Sequence, residues 1–154
     1  MTRAPTLALA ALITVMVQVP ALAADTVPAD GQAVFNQVCA ACHQPGGKGM
    51  AGLAPPLAGT LAPLLARDEG RHYVAQVLVH GLSGRIVSQG QVFNLAMAPQ
   101  AALSDAELAA VAGYVAGELN NSEGRGPTAL DIAAARAAKP SHKELRELRD
   151  RLLK

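Results

Sequence analysis

Cys39-Ala40-Ala41-Cys42-His43 is the stretch of this sequence with the most chemistry in it. Cysteines at i and i+3 of a helix point to one side. Two thiols held that way can each form a thioether to one vinyl group of a single porphyrin. The histidine that follows directly can put an imidazole nitrogen on its iron. Three other chemistries use similar residues. A redox C-x-x-C pair should follow a strand and open a helix, whereas this pair closes one. A structural zinc site needs four ligands, and His72, His80 and His142 have no metal-like spacing. A structural disulfide across so short a helical loop is strained. The spacing therefore favours covalent haem c with its iron. For the other face of the iron the candidates are Met50, Met97, His72 and His80. No nucleophile–base pair or carboxylate dyad stands out as a catalytic centre.

Helical elements must position these groups. Asp30 can N-cap a helix to about Cys42, with Val34, Phe35 and Val38 on one face. Residues 46–63 are rich in Gly and Pro and read as loop. Asp68 can cap a second helix to about His80, with Tyr73, Val74, Val77 and Leu78 as its apolar face and Gly81 ending it. A second loop runs to Ala102, in which Ile86-Val87 and Val92-Phe93 could pair briefly at most. Ser104 and Glu107 form a capping box before a third helix to about Leu119. Asn120 to Pro127 reads as a linker, followed by an Ala-rich stretch, Thr128 to Lys139. A last helix is opened by the capping box of Ser141 and Glu144, with Leu145, Leu148 and Leu152 on one side. The reading is all-α with long ordered loops. Aromatic residues are only 3% of the 154, which leaves a thin core, and a large apolar disc would fill it and pin the loops.

The ends of the chain differ from its body. Residues 1–23 read as a cleaved secretory signal: Arg3, an apolar run of 13 residues from Leu7 to Val19 interrupted only by Thr14 and Gln18, Pro20, and a small-x-small site ending at Ala23. The run is short for a membrane span, and export to the periplasm is the expectation. Residues 24–124 carry four cations and eight anions, a net of −4, whereas 125–154 carry eight cations and four anions, a net of +4. The division is thus a domain at 24–124 and a basic helical tail at 125–154. The whole-chain charge of +1 gives no nucleic-acid signature. The leucine stripe of the tail suits packing on the acidic body of the same molecule, and the alternative is that stripe and basic residues together meet an acidic partner or an anionic membrane face.

From about residue 28 to 120 the chain resembles the monohaem c-type cytochromes of the small soluble, class I type, above all those serving membrane-linked dehydrogenases and oxidases. The resemblance rests on Cys39–His43, on the runs 52–59, 81–86 and 94–99, and on Leu103-Ser104-Asp105 through Tyr114. It implies the all-α cytochrome c fold, with three to five helices wrapped around one covalent haem. It implies His43 and Met97 as axial ligands, and Met97 stands in the loop before the last core helix. It also implies Pro55 as acceptor of the His43 imidazole proton, Leu57 against the haem, Asn94 near the Met sulfur and Arg85 near a propionate. Gly31 and Phe35 should cross Gly113 and Tyr114. One departure is Ala98, where the family usually has Pro directly after the ligand Met. The activity implied is one-electron transfer between redox partner proteins of a respiratory chain, a dehydrogenase donor and an oxidase or cytochrome acceptor, rather than enzymatic turnover. The alternative is a haem-bearing subunit of a dehydrogenase or oxidase complex. A haem enzyme or gas sensor with a labile Met97 is a further reading.

Overall fold

The computed structural model describes residues 29–122 and 126–154. The expected signal segment and its cleavage point lie outside the described residues, as do 123–125 of the linker.

The Asp30 carboxylate accepts from the backbone N–H groups of Gln32 and Ala33 at 2.9 and 3.2 Å, and so starts a continuous helical segment. It runs as α1 (Gly31–Val34), a π-helical stretch (Phe35–Cys39) and α2 (Ala40–His43). Such wide turns recur at functional sites, and this one leads directly into Cys39–His43. Then come α3 (Ala62–Leu65), α4 (Asp68–His80), β1 (Ile86–Ser88), β2 (Gln91–Phe93), α5 (Asp105–Gly117), α6 (Ala129–Ala137) and α7 (His142–Leu152).

Several elements differ from the sequence reading. Asp68 is the first helical residue of α4, and extended Arg67 is its N-cap. Asp68 and Glu69 act through the helix dipole instead. The Gly/Pro-rich loop ends in α3, because Pro63 sits in its first turn, where no N–H is needed. The hairpin pairs Ile86 with Phe93, Val87 with Val92 and Ser88 with Gln91. Gln89 and Gly90, both at positive φ, close it, the backbone a two-residue hairpin turn requires. The Ala-rich stretch is helical: Thr128 and Asp131 cap α6 reciprocally.

The packing joins all parts of the described chain. At Gly31, α1 crosses α5 so closely that a Cβ would overlap the Ala110 carbonyl. The Phe35 and Tyr114 rings meet beside it, 5.4 Å between centroids. Gly113, expected at this crossing, has open space where a Cβ would be. Ile132 and Ala135 of α6 pack with Ala75, Val79 and Leu108. Leu145 and Leu152 of α7 pack with Leu64, Tyr73 and Leu82. The leucine stripe of the tail is therefore spent on the body of the same molecule. Arg146 donates to the Ser83 carbonyl, and Arg67 to that of Leu152 at 3.3 Å. Among the described residues, no helix is long and apolar enough to cross a membrane.

Candidate functional site

His43 closes α2 and is 8% exposed. Its Nδ1 lies 2.9 Å from the Pro55 carbonyl oxygen. A carbonyl can only accept, so Nδ1 carries the proton and Nε2 is left as the electron-pair donor. Burial pushes the His43 imidazole below its ordinary value, and the bond to Pro55 opposes this with the smaller effect. Burial thus favours the neutral ring, the form that binds a metal. The intervening loop holds the carbonyl in place. Gly49 N donates to the His43 carbonyl at 2.8 Å. Gly49 has φ +70, and a Cβ there would overlap Pro55 and Pro56. Met50 and Ala54 pair as an isolated bridge. Asn120, at the start of the expected linker, is a buried clasp. Its Nδ2 donates to the carbonyls of Leu57 and Val115 at 2.9 and 2.8 Å, and its Oδ1 accepts from Leu61 N at 2.8 Å. Cys39 is half-buried and Cys42 exposed, and burial pushes the Cys39 thiol up.

Met97 stands on a different wall. It exchanges two backbone hydrogen bonds with Leu82, at 2.8 and 3.1 Å. Gly81 precedes that bridge with φ +72, and a Cβ there would overlap the Met97 carbonyl. The Met97 side chain packs on the cluster of Leu64, Tyr73, Leu82, Leu145 and Leu152. The other candidates are placed elsewhere. Met50 is exposed on the loop after His43 and outside the cavity wall. His72 Nε2 lies 3.2 Å from Asp131 Oδ1, and His80 Nε2 donates to the Ala135 carbonyl at 2.8 Å. Asn94 and Arg85 are exposed and outside the wall as well.

Cys39, Cys42, His43, Pro55, Leu57 and Met97 all line one cavity of about 330 Å³, whose remaining wall is mostly aliphatic. The free Nε2 of His43 and the Met97 thioether are two neutral donors, one nitrogen and one sulfur, on residues that line a mostly apolar slot together with the two cysteines. That donor set fits a haem group. The wall also contains Tyr73 and Arg149. Burial pushes the Tyr73 hydroxyl up to about 12, while the Arg149 guanidinium pulls it back and Asp150 adds to the rise.

A family model described as cytochrome c oxidase, cbb3-type, subunit III, matches residues 26–115. The chain belongs to the monohaem c-type cytochromes. Two curated relatives, each named cytochrome c-552, agree. One from Thermus thermophilus is 42% identical over 115 residues, covering 72% of this chain and 87% of the relative. The other, from strain ATCC 27634 of the same organism, is also 42% identical over 115 residues and is covered over 77% of its length. The helix-rich architecture is that of the all-α cytochrome c fold. This cytochrome is a haem-based electron carrier, with covalently bound haem c and its iron as cofactor and redox proteins as partners.

Proposed function

We propose that Cys39 and Cys42 attach the haem, that His43 and Met97 are its axial ligands, and that the protein carries single electrons in the periplasm. The observation that carries this reading is the polarised His43. Its Nδ1–H is spent on Pro55, 2.9 Å away, and its other nitrogen faces a cavity that also contains the Met97 side chain. Cys39 and Cys42 would hold the haem as thioethers, and adding each S–H across a vinyl C=C bond would need no oxidant. Bound haem supplies a one-electron ferric–ferrous couple. Pro55 fixes the tautomer and orientation of His43 and raises the basicity of Nε2. The Met97 sulfur, a soft donor, favours the reduced metal and raises the potential above that of a bis-histidine site. With His43 and Met97 both binding the iron, no position would be left open to substrate, which favours electron transfer over catalysis. Leu53 and Leu95 line the cavity and are 37% and 54% exposed, so its rim gives a partner protein an apolar landing close to the redox centre.

The domain occupies residues 24–124, and the basic tail, 125–154, is bound to it through α6 and α7. With the leucine stripe buried, any contact of the tail with an acidic partner or membrane surface runs through its exposed basic side chains, Lys143 and Arg151 among them. Residues 1–23 direct export and are then removed. The second reading, a dedicated electron-transfer subunit of an oxidase complex, is favoured by the description of the matching family model. The decisive experiment is a pyridine haemochrome assay on protein made with a working haem-maturation system. One covalent haem c per chain is expected, and protein without haem would overturn the assignment. Co-purification with a membrane oxidase would favour the subunit over the free shuttle.

A further inference from the structure

α7 carries an arginine where an amphipathic helix should be apolar. Arg149 stands four residues after Leu145 and three before Leu152, on the same face, and both leucines are core residues. Arg149 is itself 9% exposed. Burying a guanidinium is unfavourable unless an anion and hydrogen bonds compensate it. Among the described residues its one ion pair is with Asp150 Oδ1 at 3.9 Å, outside hydrogen-bond range, and that carboxylate is largely in solvent. No protein hydrogen bond takes up the guanidinium there. Yet Arg149 lines the haem cavity, and it is the one permanent cation among the described residues that do so.

The chemistry of the cofactor supplies the missing anion. A haem carries its two propionates on the edge across from its vinyl groups. Cys39 packs with Phe35, Val111 and Val115, whereas the leucines that bracket Arg149 pack with Tyr73 and Leu82. The cation thus packs with a different set of core residues from Cys39, on a wall that is otherwise mostly aliphatic. We propose that Arg149 is the cofactor's carboxylate-binding residue, its guanidinium paired with a haem propionate, so that the C-terminal helix is part of the haem site. Arg85, the sequence-based candidate for that role, is exposed and outside the wall. The inference rests on the haem reading above and extends it beyond the region matched by the family model, which ends at residue 115.

The guanidinium charge stabilises the reduced centre, which carries one positive charge fewer, and offsets a propionate that would destabilise it. Removing it should lower the midpoint potential. The test measures haem content, the far-red band of the oxidised protein and the midpoint potential in Arg149→Gln, Arg149→Lys and Arg85→Gln. Expected is a clear downward shift in Arg149→Gln with haem content and far-red band kept, most of the potential retained in Arg149→Lys, and a much smaller shift in Arg85→Gln. Equal shifts in Arg149→Gln and Arg85→Gln would overturn the proposal. If Arg149→Gln does not fold, wild-type protein grown on carboxyl-labelled haem precursor decides by carbon NMR. One propionate that stays ionised well below the ordinary carboxylate range supports the pairing, and two that titrate normally refute it. Wild-type protein without haem would sink the haem reading itself, and the haemochrome assay reports that separately.

Discussion

The two walls of the haem cavity are built by different means. The His43 wall is local: the imidazole and its acceptor Pro55 are 12 residues apart, with Gly49 and the Met50–Ala54 bridge between them. The Met97 wall is assembled over long distances. Met97 is held by Leu82, and Leu82 is packed by Leu145 and Leu152 of the tail. Arg146 binds the Ser83 carbonyl across 63 positions of sequence. Closing a short loop costs little chain entropy, so the first wall can persist while the second opens. His43 is thus held mainly by its own loop, which Asn120 clasps at its far end, and Met97 by the docking of the C-terminal helix. Local opening of α7 is therefore the event that should expose the Met97 side.

The largest effect expected is from the motif that anchors the local wall. The double change Cys39→Ala and Cys42→Ala should abolish covalent attachment, read as haem extractable by acid–acetone or as apoprotein. Next, Leu145→Ala removes a buried side chain from beneath the long-range wall. It should cost about 2–5 kcal/mol in chemical denaturation and weaken the far-red band before the rest of the visible spectrum changes. The same loss of band in a variant of the His43 loop would break the comparison. Gly81→Ala against Gly49→Ala sharpens it further. Each forces a side chain onto positive φ, at about 1–3 kcal/mol, and against backbone. Gly81→Ala should disturb the Met97 band, whereas Gly49→Ala should disturb the His43 ring, seen as altered imidazole NMR shifts with the band retained.

The smallest effect concerns the capping boxes of α5 and of the two tail helices. Glu107, Asp131 and Glu144 are each held below the ordinary carboxylate range by hydrogen bonds from their capping partners, Ser104, Thr128 and Ser141. Lowered folded values contribute stability that is fully present above the unfolded values, 4.5 for Glu and 3.8 for Asp. It is lost as pH falls through the folded ones. Thermal midpoints should decline gradually below about pH 4.5. Thr128→Ala should cost about 1 kcal/mol at neutral pH and flatten part of that decline.

The local wall was the legible one. Cys39-x-x-Cys42-His43 declares itself because thioether spacing and helix geometry coincide, and the capping boxes of α5 and α7 are similarly short-range signals. Met97 needed a family resemblance, since a single methionine in a loop has no local signature. What stayed hidden depends on contacts distant in sequence. Asn120 reads as a linker residue until its three hydrogen bonds to Leu57, Leu61 and Val115 are in view. Arg149 reads as a solvated charge, although its spacing from Leu145 and Leu152 already put it on the apolar face. The hairpin was underestimated because three-residue strands carry almost no periodicity, and α3 because Pro63 looked like a breaker rather than a first-turn residue.

Whether Met97 is the distal ligand is tested most directly by the far-red sulfur-to-iron charge-transfer band of the oxidised protein, recorded for wild type and Met97→Ala side by side. The expected result is a band in wild type that disappears in Met97→Ala together with a drop in midpoint potential. A wild-type spectrum without the band, or a band that survives the substitution, would contradict Met97 as the ligand opposite His43.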